Sequence, residues 1–352
     1  MTHLMNDTRT QLTRKRLRLG EYLAEKLITL TAFVSFAFIV LIFVFVFRET
    51  LPIFSAHERE AVDVEALGEQ ETYGDVAMSE TERAAEQRLR EASVENAEGE
   101  ASLKNLTGPH WQPVSGTPKY GLLPLIAGSF KVSLIAVLIA APIGILAALF
   151  TAVFAPKWAK EALKPAIEIL AGFPSVVIGF FALVVLATYV QDAFGLQYRL
   201  NAFVGGVALS LAVIPIIYTI SEDALTAVPK TLTEASLALG ATRWQTALRV
   251  VLPAATPGIF AAVLLGVGRA FGETMIVLMA TGNAALLSAD PFEPVRTMSA
   301  TIGAEMAEVV FGDTHYNVLF LIGSILFLFT FALNAAAELW IRRRLMKKFS
   351  GQ

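Results

Sequence analysis

The stretch LTEASLALGATRWQTALRVVLP, residues 232–253, decides how the rest of the chain is read. It is a polar, helix-prone island between two long apolar segments. Thr231 stands three residues before Glu234, a capping-box spacing behind Pro229, and predicts a helix start there. Leu232, Ala235 and Leu239 then fall on one helical face. Gly240 stops or turns that helix, and residues 243–251 begin another. Pro253 and Pro257 mark the entry to the next apolar run. A short helix held between two spans is a stiff handle, because a partner pushing on it moves both spans together. An ordinary surface loop is the plainer alternative, but a loop has no need of helix signals.

Composition says what lies on either side. Of 352 residues, 55% are hydrophobic and only 17% charged, where a soluble domain carries about 25% charge. The apolar residues are gathered into long runs, which predicts an all-α polytopic membrane protein with about six transmembrane helices. A net charge of −3 makes no case for nucleic-acid binding. The chain has no cysteine, which excludes disulfides and thiolate chemistry. His3, His57, His110 and His315 are far apart and show no metal-ligand spacing, so no metal is assigned.

Residues 1–26 form a basic N-terminus, with Arg9, Arg14, Lys15, Arg16, Arg18 and Lys26. Residues 27–47 are then 21 positions without a charge, enough to cross a bilayer. The run is too long and bulky for a cleaved secretory signal, so it reads as a first span leaving the cytoplasm. Residues 48–121 are an acidic insertion with fifteen acidic and seven basic residues between Arg48 and Tyr120. Residues 78–101 look helical but offer few large apolar side chains with which to close a core. Gly108, Pro109, Pro113, Gly116 and Pro118 read as a linker back to the membrane. This periplasmic stretch is either a spacer or a docking surface.

The core, residues 122–341, carries the other five spans. They are expected at about 122–155, 165–190, 201–220, 256–280 and 318–339. Pro156, Lys157, Lys160 and Lys164 make a basic turn on the cytoplasmic side. Glu168 falls near the cytoplasmic end of the third span, as an interfacial partner for a lysine or as part of a functional block. Residues 222–253 form the coupling loop, and residues 342–352 a basic cytoplasmic tail with Arg342, Arg343, Arg344, Lys347 and Lys348. Six spans put both termini in the cytoplasm. Residues 297–308 read as a short outer helix, either a docking block or a packed connector.

Arg269 and Glu273 are the sharpest local signal outside the coupling loop. They are four apart in an apolar span, so a continuous helix puts them on one face. Charges in a membrane are costly and face a bundle interior, a partner or water. The pair is either a structural salt bridge or a binding and gating pair. A guanidinium meets an oxyanion with paired donors, and Glu273 would hold it when no anion is present.

Two blocks of this sequence resemble a known family. Glu234-Ala235-Ser236, Gly240 and Val250-Val251-Leu252-Pro253 are similar to the cytoplasmic coupling loop of ABC importer permeases. Ser236 stands where the family pattern has a second alanine, and Val250 where it has isoleucine. More narrowly, residues 168–177 (EILAGFPSVV) and 268–275 (GRAFGETM) resemble the phosphate importer permeases, which come in two kinds, PstC and PstA. The resemblance covers residues 122–344 and leaves out the acidic insertion, whose length favours the PstC kind. It implies a type I ABC importer permease fold with a cytoplasmic coupling helix. It implies Arg269, Glu273 and Glu168 in the substrate path. Glu234, Ala235, Ser236, Gly240, Leu252 and Pro253 would couple to an ATPase. The implied partners are a PstA-like second permease, a PstB-like ATPase dimer that binds ATP and Mg, and a PstS-like periplasmic phosphate-binding protein. A phosphate-signalling protein is a further possible partner.

The chain itself has no GxxxxGK[ST] loop, serine elbow or HExxH motif, so neither ATP hydrolysis nor other enzyme chemistry is expected of it, and no cofactor. The alternatives are the PstA-like partner permease, a molybdate or sulfate permease, a secondary transporter, and a membrane scaffold that senses phosphate. A secondary transporter commonly shows inverted repeats and its own ion-coupling machinery, and neither is evident.

Overall fold

The computed structural model describes residues 19–67, 103–115 and 118–349. The chain divides into two units, residues 1–49 and 50–352. Six described helices are long and apolar enough to cross a membrane: Tyr22–Phe54, Leu123–Phe154, Ser175–Phe194, Ala202–Thr226, Arg243–Gly272 and Thr314–Ala336. The number matches the sequence expectation. A helix is the solution because it satisfies its own backbone groups where no water is available.

The first unit holds most of the helix α1 (Leu19–Leu67), and there the large side chains are exposed, Phe33, Phe36 and Leu41 among them. Thr29, Thr31 and Ser35 turn their hydroxyls back onto the carbonyls four residues earlier, so the polar side chains in this apolar run are satisfied within the helix. The expected acidic helix at 78–101 lies outside the described residues.

The second unit is built around α7 (Ala202–Thr226). Asn201 caps it, its side chain accepting from the Val204 N–H at 2.9 Å. Helix α3 (Leu123–Leu149), prolonged by a π turn over Phe150–Phe154, packs along one side of α7. Helix α10 (Leu252–Gly272) packs along another. Small residues let the two approach: Ala136 and Ala140 of α3 share the main core cluster with Ala208, Val213 and Ile217 of α7, and a Cβ on Gly144 of α3 would stand 3.0 Å from the Ile217 side chain. Without a hydrophobic driving force in lipid, such close backbone approach is what holds spans together. Pro142 and Pro215 lie inside their helices. Glu222 also lies inside α7, which runs six residues beyond the expected end at 220, and Lys164 pairs with it there.

Residues 165–190, expected as one span, are two elements. Helix α4 (Lys157–Gly172) is amphipathic and buries only Ala159. The chain is extended at Phe173 and Pro174, and a new run begins with α5 (Ser175–Phe181), passes through a π turn and ends in α6 (Ala187–Phe194). Pro174 has no N–H to continue the ladder and disfavours helical backbone at Phe173. Glu168 therefore sits on α4, before the span.

The stretch expected as a linker is structured. Helix α2 (Leu103–Leu106) leads to a two-stranded antiparallel ladder, β1 (Trp111–Gln112) against β2 (Lys119–Tyr120). Leu106, Trp111, Tyr120 and Leu122 are buried with Leu125, Met298, Val318 and Leu319 in a second cluster. Pro113 and Pro118, counted among the linker signals, thus lie between paired strands, and two aromatics on those strands are buried in the core. These residues pack with the bundle although they were assigned to the acidic insertion.

The remaining elements are α8 (Lys230–Ala238), α9 (Arg243–Thr246), α11 (Met275–Ala280), α12 (Met298–Glu305) and α13 (Thr314–Phe349). Thr297 caps α12 by accepting from the Ala300 N–H.

Candidate substrate path and coupling segment

Arg269 lies in the last turn of α10. The expected single helix over 256–280 is interrupted: Glu273 is extended (φ −72°, ψ 130°), and α11 starts at Met275. Arg269 and Glu273 do form a pair, Nη2 to Oε2 at 3.7 Å, but across a helix end rather than on one helical face. Broken backbone at membrane depth survives only where other groups satisfy it. Ser299 supplies one such group, donating its hydroxyl to the Glu273 carbonyl at 2.6 Å. This carbonyl would otherwise have continued the ladder. Ser299 is buried in α12 and was not foreseen from the sequence, where nothing sets it apart from other small polar residues of the outer loop.

The two charges sit in different surroundings. The Glu273 side chain is 7% exposed and that of Arg269 is 53% exposed. At 3.7 Å the attraction is electrostatic and too long for a hydrogen bond. The guanidinium thus keeps its donors available while its charge is partly balanced. A guanidinium in this state presents a planar fork of the kind that can meet an oxyanion with paired donors.

Other basic groups are engaged with carbonyls. Lys131 donates to Asp290 O at 2.9 Å, and Arg199 to Leu183 O at 2.7 Å, inside the π turn of the third span. Lys131 thus reaches from its span to a carbonyl of the outer loop. Glu168 is exposed on α4, and among the described residues no ion pair or hydrogen bond joins it to Arg269 or Glu273. The lysine one turn before it, Lys164, turns to α7 and pairs with Glu222 at 3.0 Å. That bond raises the Lys164 pKa, with burial acting the other way.

At the far end of α7, α8 and α9 form the expected helix–turn–helix. Residues Glu234, Ala235 and Ser236 lie on α8, which buries no residue. The capping box is not at Thr231–Glu234, since Thr231 is already inside the helix behind Pro229. It is one element later, where Thr242 Oγ1 accepts from Gln245 N at 3.2 Å and Gln245 Oε1 accepts from Thr242 N at 2.9 Å. The T-x-x-Q spacing was available to a sequence reading. Gly240 has φ +84°, the left-handed turn that ends α8. Ser236 and Thr246 join their hydroxyls at 2.9 Å across the turn.

This segment is held on one side and free on the other. Val251, Ala247 and Ala255 are buried with Tyr218 and Leu225 of α7 in a third cluster, and Phe154 meets the Trp244 ring at 5.7 Å. Leu252 and Pro253 open α10. Leu232, Leu237, Leu239 and Trp244 are exposed, Leu239 to 90%. A helix pair with its base in the core and its apolar top uncovered can transmit a push from whatever covers it.

At the opposite end of the bundle, Glu305 gathers three elements. It pairs with Arg296 at 2.6 Å and His315 at 2.9 Å, and accepts from Trp111 Nε1 at 3.2 Å. Burial would raise its pKa. The His315 bond, the Arg296 charge, the Trp111 donor and the His315 charge together outweigh that and hold it below the ordinary glutamate value.

Comparison with known proteins places the chain. Residues 140–346 match the model of the family described as "Binding-protein-dependent transport system inner membrane component". The probable ABC transporter permease protein YqgH of Bacillus subtilis is 42% identical over 66% of this chain and 75% of its own length. The phosphate transport system permease protein PstC of Mesorhizobium japonicum is 36% identical over 68% of this chain and 78% of its own. That of Xylella fastidiosa is 33% identical over 66% and 76%. A bacterial alginate ABC transporter, solved with its alginate pentasaccharide-bound periplasmic protein, aligns with TM-score 0.48 at 14% identity, over 73% of this chain and 88% of its own.

Six helices long and apolar enough to cross a membrane, with a paired-helix handle between the fourth and fifth, are those of an all-α, multi-pass permease subunit. The chain belongs to the binding-protein-dependent transport system inner membrane components.

Proposed function

We propose that this chain is the PstC-like transmembrane subunit of an ATP-driven importer of inorganic phosphate, with the type I permease arrangement. The observation that carries the reading is Arg269, a half-exposed guanidinium in the last turn of the fifth span, where the helix breaks. The phosphate-transport naming of relatives at 33–36% identity supports the choice of anion. Arg269 would meet the anion during passage, and Glu273 would take the guanidinium back afterwards.

The exposed apolar top of α8 and α9 is read as the contact for a PstB-like ATPase dimer, which would bind ATP and Mg; this chain would supply no ATPase site. Glu234, Ala235, Ser236 and Gly240 belong to that handle, and Leu252 and Pro253 join it to α10. A PstA-like permease would complete the path, and a PstS-like binding protein would deliver phosphate at the outer face. Both termini would then be cytoplasmic. Glu168, exposed on α4, is assigned to the path by family resemblance alone. Copurification of the complex, followed by ATP-dependent uptake of phosphate, sulfate and molybdate in proteoliposomes, tests the reading. Uptake without a separate ATPase, or of sulfate or molybdate in preference to phosphate, would overturn it.

A further inference from the structure

Arg269 is not the only polar group that the spans leave uncovered. Asn334 lies on α13, within the span Thr314–Ala336, and is exposed. Its neighbours Phe331, Ala332, Leu333, Ala335 and Ala336 are all apolar. Among the described residues its amide has no hydrogen-bond partner. An unpaired amide costs free energy in a hydrocarbon environment, so its surroundings must be another chain or water.

Its place in the bundle narrows the choice. Helices α10 and α13 pack together, with Phe271 and Phe329 in ring contact at 4.4 Å. Next along this seam, a Cβ on Gly268 would stand 3.5 Å from Asn334 Oδ1. Gly268 is the residue immediately before Arg269. One turn on, a Cβ on Gly272 would meet nothing within 4 Å. The amide and the guanidinium thus rise from neighbouring helices beside a strip of bare backbone with open space above it. Both are exposed in this chain, on helices long and apolar enough to cross a membrane.

We infer that Asn334 is a second anion contact of the path, donating its amide N–H groups to an oxyanion that Arg269 holds. An amide is suited to this position. It donates two hydrogen bonds with no charge to bury, whereas a second cation would trap the anion by deepening its well. This inference rests on the reading of Arg269 as an anion-handling group.

The test is uptake of radiolabelled inorganic phosphate by the complete transporter in proteoliposomes, normalised to assembled complex. The variants are Asn334→Leu, Asn334→Gln and Asn334→Asp beside Arg269→Ala. Loss of one hydrogen bond to a charged group should lower the maximal rate of Asn334→Leu by roughly ten- to a hundred-fold. The half-saturating phosphate concentration should stay put, because capture belongs to the separate binding protein. Asn334→Gln should keep part of the rate. Asn334→Asp should fall below Asn334→Leu, since a carboxylate repels the anion.

A hydrogen bond to a second permease predicts the reverse order: Asn334→Asp still accepts and functions, and Asn334→Leu loses assembly. That outcome overturns the inference. So does normal uptake by all three Asn334 variants while Arg269→Ala is inactive, a result that leaves the role of Arg269 standing. Near-normal uptake by Arg269→Ala removes both.

Discussion

Arg269 and Glu273 face each other across the end of α10, with 3.7 Å between Nη2 and Oε2. Ser299 donates to the main-chain carbonyl of Glu273, and the carboxylate is buried while the arginine is half-exposed. A pair built in this way keeps a charge ready in a span at less desolvation cost than a lone arginine.

Replacing Arg269 with alanine should abolish phosphate uptake while leaving capture by the binding protein intact. Arg269→Lys keeps the charge and loses the planar fork, so partial activity of roughly a tenth or less is expected. Glu273→Gln should raise the anion's residence and slow turnover, because the competing carboxylate is gone. Uptake in proteoliposomes, normalised to assembled complex, reads all three. Wild-type uptake by assembled Arg269→Ala would remove the proposed role.

Gly240 adopts φ +84°, and a Cβ there would meet nothing within 4 Å. The cost of a side chain is therefore backbone strain alone, about 1–2 kcal/mol for a non-glycine residue. Gly240→Val should loosen the turn between α8 and α9 and weaken ATPase association without blocking insertion. Gly240→Asn, which tolerates the left-handed region better, should retain most coupling. Equal ATPase copurification by the two variants would contradict this account.

The number of spans and the helix–turn–helix were legible because each rests on a local signal, an uncharged run or a glycine at a turn. What was missed depends on distant partners. Glu222 looked like the polar end of a span until Lys164, on another helix, neutralised it. At the break after Gly272, the carbonyl of Glu273 is met by Ser299, 26 residues beyond Glu273. Trp111 and Tyr120 sat among turn residues, and nothing local told that they would be buried against α13. Apolar periodicity could not separate α4 from the span after it, because the break at Phe173 and Pro174 is only two residues long. Arg269 and Glu273 were found for their cost, which is a local property, but their geometry was not.

The cysteine-free chain makes topology directly measurable. Single cysteines at Ser93 and at Ser236 should differ in labelling by a membrane-impermeant maleimide added to whole cells with an opened outer membrane. Position 93 should react and position 236 should not. Protection at 93 with reaction at 236 would invert the orientation.

Glu305 has a pKa held below its ordinary value, so its charge favours the folded state. That contribution is fully present above the unfolded value, about 4.3, and is lost as pH falls through the lower folded value. Thermal unfolding of the purified chain in detergent should therefore show an acid-side loss of stability below about pH 4. Glu305→Gln should start less stable at pH 7, with Arg296 left facing a neutral amide, and should lose less on acidification. Parallel pH curves for the two proteins would show that this cluster does not set the acid limb.

Lys164 and Glu222 tie the amphipathic α4 to the end of α7 that leads into the coupling handle. The members are unequal: the Glu222 side chain is 7% exposed and Lys164 48%. Lys164→Met should thus cost more than an exposed pair is worth, because it leaves a buried carboxylate alone. With half of Lys164 in solvent, the expected loss is about 1–2 kcal/mol, below the range for fully buried pairs. The double variant Lys164→Met, Glu222→Gln removes the orphaned charge and should recover much of the loss, and that recovery separates desolvation from lost attraction. The pH dependence has the opposite sign to that of Glu305. The Lys164 pKa is raised from 10.5, mainly by its bond to Glu222. Its contribution is complete below 10.5 and disappears as pH rises through the higher folded value. Thermal unfolding between pH 8 and about 11 should therefore fall more steeply for wild type than for the double variant. If the single and double variants are equally unstable, the buried carboxylate is not what Lys164 compensates.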